Sequence, residues 1–353
     1  MFAYLKTLAE DGNSMNQKKH CLRNYLPKPT LILYCIAIVA IFIHILFWAS
    51  QPFAAFFNRY PASVFRTVLA TISGVLPFSL AEAIIIALPL ILVTLLIIGI
   101  RKAFKSSTAS IRFLSSLFAA LTGFYSLFVF TFAAGYAAPT LEEYLSLQRH
   151  SVTAEELYHT ATALIDEINA LSADIPFQYA SSSVMPYSIA EMNVRLNKAY
   201  ETVCKTYDFI PHMNTHIKPV VLSEPMTYTH ISGVYTYYTG EANLNIHFPD
   251  YTLPSTAAHE LSHQRGIARE DEANFMAFLV CCSSDDSYIR YSGYQNLLEY
   301  VLNALYQANP TLYQEAISSL NRCVRYEMAA YNSFFSKYRQ SVVSSVSGAV
   351  NDT

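Results

Sequence analysis

The chain has 353 residues, of which 53% are hydrophobic, 14% aromatic and only 14% charged, against roughly 25% charged in an average soluble domain. That balance excludes a disordered polymer, and 10 Gly with 15 Pro exclude collagen-like or linker-rich material. The net charge of −3 conceals two opposite regions: the first 134 residues carry 11 Lys and Arg against 3 Asp and Glu, and the other 219 carry 12 against 23.

Three stretches lack Asp, Glu, Lys and Arg: Leu31 to Ser50, Ala83 to Ile100 and Phe113 to Thr140. A bilayer span needs about 20 mostly apolar residues, and helices apolar on every side are membrane spans or deeply buried. Three in the first 140 residues predict spans at about 31–50, 82–100 and 113–135. The first is too long for a signal-peptide core and no cleavage site follows, so it reads as an anchor that stays in the protein. Pro89 predicts a kink in the second span. His44 predicts a hydrogen bond between helices.

Lys6, Lys18, Lys19, Arg23 and Lys28 precede the first span, and Arg101, Lys102, Lys105 and Arg112 fill the loop between the second and third. Only Arg59 and Arg66 lie between the first and second. The positive-inside bias then makes 1–30 a cytoplasmic tail, 31–138 a multi-pass region of a cell membrane and 139–353 an extracytoplasmic domain. Residues 51–79 read as a short interfacial helix.

The outer domain reads as mainly helical with a small β-sheet. Leu141 to Leu171 and Ser188 to Thr206 have helical periodicity. Residues 219–222, 233–238 and 242–248 read as strands, the last as an edge strand that a substrate could join. From Pro254 to about 342 the chain is helical again, and the Ser/Val-rich end from Ser341 reads as a frayed tail.

Residues 259–263 are His-Glu-Leu-Ser-His. Four apart on a helix, His259 and His263 project from one face and can hold one Zn2+ through two nitrogens. Glu260 beside them is placed to act as general base toward water. In this composition the pattern arises by chance in roughly one chain in 100. Ser255 or Thr256 is the expected N-cap, and Gly266 the expected end of the helix. A catalytic zinc takes a third protein ligand. Glu270, opening a second helix, is the first choice, Glu272 the alternative and Asp271 a weaker third. Asn274 shares a face with Glu270 and could hold a ligand by hydrogen bonding.

HELSHQRG followed by AREDEANFMAFLVC resembles a bacterial family of multi-pass membrane proteins of unknown function placed with the zincin-like metallopeptidases. The resemblance extends over the three spans, TGEANLN and YSGY. The EDEAN piece is similar to ImmA/IrrE-type and other gluzincin peptidases, whose third ligand falls on Glu270 here. Two departures stand out: gluzincins usually have a longer insert before that Glu, and Gly266 sits where metzincins have theirs, whose third ligand would fall on Arg269.

Tyr291 and Tyr294, in the YIRYSGY segment, are candidates to stabilise the oxyanion, and Glu241 and Asn243 could line a cleft. The six Cys form no CxxC pair, and the adjacent Cys281 and Cys282 read as small buried apolar residues. An acidic outer domain excludes nucleic acid as a partner. The expectation is a membrane-anchored zinc metallopeptidase with a peptide or protein substrate. The alternative is a non-catalytic, zinc-stabilised membrane receptor or scaffold domain.

Overall fold

A computed structural model describes residues 25–148, 150–179 and 181–339. Of the expected tail over 1–30, residues 1–24 lie outside the described residues, as does the expected tail from Ser341 on. The chain begins with α1 (Lys28–Ala49), α2 (Gln51–Arg59), α3 (Pro61–Gly74), α4 (Leu80–Lys105) and α5 (Ser107–Phe128). A π turn (Val129–Ala133) and one more helical turn (Ala134–Ala137) prolong α5. α1, α4 and the prolonged α5 are long and apolar enough to cross a membrane. α4 buries only Ala81 and Glu82, leaving its other apolar side chains on the outside, as lipid contact requires. Pro89 lies within α4, which is assigned as one unbroken helix. His44 Nδ1 meets Tyr125 Oη at 2.7 Å, joining α1 to α5 as expected.

Residues 51–79 form two helices, not one. Proline sits in the first turn of each, where its missing N–H leaves no intrahelical bond unmade. α3 is two-faced: Ala62, Arg66, Ala70 and Ser73 are buried, while Val64, Phe65, Val68 and Ile72 are exposed.

The second half is mainly helical with one small sheet. It contains α6 (Leu141–Leu145), α7 (Ala154–Leu171), α8 (Ile189–Thr206), β1 (Ile217–Pro219), α9 (Ser223–Thr227), β2 (Gly233–Thr236) and β3 (Glu241–Leu244). Then follow α10 (Leu253–Gln264), α11 (Glu270–Cys282), α12 (Ser287–Ala308), α13 (Pro310–Ser318) and α14 (Arg322–Arg339). The expected helical stretch 141–171 is broken. Ser146 turns left-handed (φ 53°), and Thr153 with Glu156 forms a capping box that starts a new helix. α10 starts at Leu253, ahead of the expected caps, because Pro254 occupies its first turn and the Ser255 hydroxyl bonds back to the Thr252 carbonyl.

The strand order is β1-β3-β2, with β1 parallel and β2 antiparallel to β3. The strand expected at the edge is therefore the central one, and it ends at Leu244. The two apolar clusters of this half pack Met192, Leu196, Tyr200, Leu261 and Met276 in one, and Ile165, Ile168, Tyr291, Leu298 and Leu302 in the other. A third joins α1 and α2 to the end of α5 through Phe47, Phe57, Val129 and Ala134.

Candidate metal centre

α10 carries His259, Glu260 and His263. Its end is sharp. Gly266 adopts φ +94°, its N–H reaches the His263 carbonyl at 2.9 Å, and the Ile267 N–H reaches the Ser262 carbonyl at 3.1 Å. This is a Schellman stop, which needs a left-handed residue and so favours glycine. The reversal returns the chain at once, so α11 begins at Glu270 beside the two imidazoles.

His259 Nε2 and His263 Nε2 lie 3.0 Å apart. Glu270 places Oε2 3.1 Å from His259 Nε2 and Oε1 3.4 Å from His263 Nε2. The three side chains form one group whose ligand atoms lie within 4.8 Å of one another. Tetrahedral zinc with bonds of about 2.0–2.1 Å has ligand atoms about 3.3 Å apart, so these separations match the edges of such a site.

The opposite ring nitrogens are committed. His263 Nδ1 donates to the Ile267 carbonyl at 2.8 Å, and His259 Nδ1 pairs with Asn274 Oδ1 at 2.8 Å. A carbonyl only accepts, so Nδ1 of His263 carries the proton and its neutral ring presents a lone pair at Nε2. Two imidazole lone pairs and a carboxylate then converge on one point, an arrangement that calls for a cation there. A proton on Nε2 would answer the same need for positive charge. Hydrogen bonds to His259 and His263, when those rings are protonated, hold Glu270 well below the usual carboxylate range. Burial works to lower His263, but its hydrogen bond to Glu270 and the charge of Glu260 raise it overall. The donor set fits Zn2+.

Glu260 is 5% exposed. Its Oε2 is buried with no hydrogen-bond partner among the described residues. Burial pushes its carboxyl up to about 7, against the two imidazoles, which act to lower it. Glu260 and the three candidate ligands line an open cleft of about 520 Å³. One wall is β2 and the residues just before it, Ile231 to Tyr235; another is the end of α5, through Phe132 and Tyr136.

Asn274 and Glu270 both line the cleft. Glu272 turns away, accepting from the Leu141 N–H at 3.0 Å and from Arg269 at 3.1 Å. Tyr291 and Tyr294 are not brought to the cleft. Tyr291 is fully buried and donates to Glu327, and Tyr294 packs its ring on Phe278. Glu241 is buried against Lys218 and the first turn of α4, and the Asn243 side-chain amide bonds to the Val234 carbonyl within the sheet. Cys35, Cys204, Cys281, Cys282 and Cys323 are all free thiols; Cys281 is buried and Cys282 partly so. Sequence reasoning missed Tyr300 and Asn296. Both line the cleft beside Asn274. Their spacing of four on α12 was visible, but nothing singled them out among 26 tyrosines.

Residues 57–353 match the model of a family described as "Protein of unknown function (DUF3810)", and the chain belongs to that family. No curated protein and no solved structure matches the chain.

Proposed function

We propose that this DUF3810 member is a membrane-anchored zinc metallopeptidase of the zincin kind, gluzincin-like in its ligand set, that hydrolyses peptide bonds at the extracytoplasmic face. The observation that carries the reading is the convergence of His259 Nε2, His263 Nε2 and Glu270 on one point, beside a buried carboxyl with an unpartnered oxygen. A bound zinc supplies a Lewis acid for the scissile carbonyl and lowers the pKa of water. His259, His263 and Glu270 would hold it. Asn274 and the Ile267 carbonyl fix the ring orientations by accepting from Nδ1. Glu260 takes the proton of the attacking water and hands it to the leaving amine. Tyr300, a hydroxyl on the same cleft, would donate toward the carbonyl oxygen. The free edge of β2 offers backbone groups to an extended substrate. The Lys and Arg before the first span and between the second and third, against two between the first and second, support an N-terminus inside and this domain outside.

The test is metal analysis of the full chain with Glu260→Gln beside it. The expected result is about one zinc per chain in both, with hydrolysis of a peptide mixture lost in the variant. Folded protein that binds no zinc, or undiminished hydrolysis by Glu260→Gln, overturns the reading.

A further inference from the structure

We infer that the substrate is a polypeptide anchored in the same membrane, cut in the short stretch where it leaves the bilayer; this rests on the peptidase reading above.

The argument starts from depth. From Leu80 to Ile100, α4 rises about 30 Å at about 1.5 Å per residue, one hydrocarbon thickness. Arg101, Lys102 and Lys105 mark one boundary, so the other falls near Leu80. At that level the sheet is already in contact with the span. Glu241 accepts from the Leu80 and Ala81 N–H groups at 3.0 and 2.8 Å. Glu82 accepts from the Val221 and Leu222 N–H groups at 3.0 and 2.7 Å. The domain therefore sits on the bilayer surface with no stalk between.

The candidate site lies close to that contact. Glu241 pairs with Thr236 across the β2–β3 ladder, and Gly233, three residues back along β2, lies directly against the Glu260 carboxyl, where an added β-carbon would fall 2.6 Å from Oε1. A ladder spacing, three residue steps and one side chain place the general base within roughly 15–20 Å of the lipid boundary. The third span also runs close to the site. The Phe132 ring is 5.3 Å from Tyr235 and 6.0 Å from His263. Further down the same span, Phe128 and Phe124 pack against Tyr237 and Tyr238 at the hairpin tip, at 5.4 and 6.1 Å. Tyrosines at such a level suit the membrane interface.

The lip of the cleft is apolar where it faces this surface. Ile231 and Val234 are exposed beside the free edge of β2, and Val221 is 80% exposed beside the first turn of α4. A strand joining β2 would thus run close to the headgroups. At about 3.4 Å per residue, roughly five extended residues bridge from the lipid boundary to Glu260. A chain emerging from the bilayer reaches the site with its first residues, whereas a folded soluble protein must first work a loop down to the membrane surface.

The experiment uses the full chain, zinc-loaded, in liposomes. Palmitoylated peptides carry a randomised segment of about ten residues either next to the anchor or after a flexible Gly/Ser spacer of about 30 residues, and a third set is unanchored. Cleavage is read by mass spectrometry, with Glu260→Gln as control. The expected result is cleavage of the anchor-proximal set about tenfold faster than the spaced set. Both sets share one surface density, so anchoring alone does not produce the difference. In parallel, Ile231→Trp is placed in a Trp48→Phe background, since Trp48 is the chain's single tryptophan, and brominated lipids are expected to quench it. Equal or faster cleavage of the spaced or free set, or unquenched fluorescence, overturns the inference while leaving the peptidase reading intact. Cleavage of none of the sets by zinc-loaded protein overturns both.

Discussion

A β-carbon added to Gly233 would fall 2.6 Å from Glu260 Oε1 and 2.7 Å from its Cγ. Glycine on β2 therefore leaves the space that the Glu260 carboxyl occupies between strand and helix. Gly233→Ala is expected to displace that carboxyl and leave the metal ligands in place. A shift of about 1 Å at a proton-transfer group lowers turnover by about 100-fold. Peptide hydrolysis and zinc content measured on one preparation check this; unchanged turnover would show that Glu260 has no role in the chemistry.

Asn274 and Glu272 lie two residues apart on α11 with different jobs. Asn274→Ala removes the acceptor from His259 Nδ1, so zinc affinity is expected to fall about 10- to 100-fold. Glu270→Ala is expected to lose zinc more completely, because it removes a ligand atom. Glu272→Ala should leave zinc affinity within a few-fold and lower the melting temperature, since it frees the Leu141 N–H and Arg269. Competition against a zinc chelator ranks the three. A larger affinity loss in Glu272→Ala than in Glu270→Ala would reverse the ligand assignment.

What was legible in the sequence was local. His259, Glu260, His263, Gly266, Glu270 and Asn274 lie on one helix–turn–helix, so helical spacing and one glycine stop suffice to bring them together. What was not legible depended on pairing and phase. The place of β3 at the sheet centre is set by β1 joining from far upstream, which no local pattern records. Tyr291 and Tyr300 occupy the same helix, but nine residues at about 100° each put them on opposite faces. One turns to Glu327 in the core and the other to the cleft. The third span and the HELSH segment lie more than 100 residues apart in sequence, yet a β-carbon on Gly135 would meet the Gly266 carbonyl at 2.7 Å.

Glu327 gives a pH prediction away from the metal site. It is fully inaccessible and accepts from the Ser183 N–H at 2.7 Å and from the hydroxyls of Ser183 and Tyr291. Burial raises its carboxyl above the usual value, against those hydrogen bonds, which lower it. A carboxyl raised on folding binds its proton more tightly in the native state. Its contribution is therefore full below the unfolded value near 4.5 and is lost as pH rises through the raised native value. Relative to wild type, Glu327→Gln is expected to flatten that decline. Denaturant midpoints across pH 4 to 7 test it, and parallel curves for the two proteins would refute it.

Arg66 ties the membrane region to the site. It is fully buried, and its guanidinium donates to the Thr131 carbonyl at 2.8 Å, to the Asn58 carbonyl at 2.8 Å and side-chain oxygen at 2.9 Å, and to the Arg265 carbonyl at 3.3 Å. The Thr131 carbonyl lies in the π turn, where the α-helical bonding pattern is interrupted, and the Arg265 carbonyl belongs to the turn that returns the chain to Glu270. Arg66→Met would strand these acceptors without water, at a cost of about 3 kcal/mol. Arg66→Lys keeps the charge but loses the planar fork, so it should fall between wild type and Arg66→Met. Because the lost bonds include one to the His263–Glu270 turn, zinc affinity should fall in the same order as stability. Thermal melts with and without zinc, in the same lipid, test the coupling. Destabilised variants that bind zinc as tightly as wild type would show that the span and the metal turn are only neighbours.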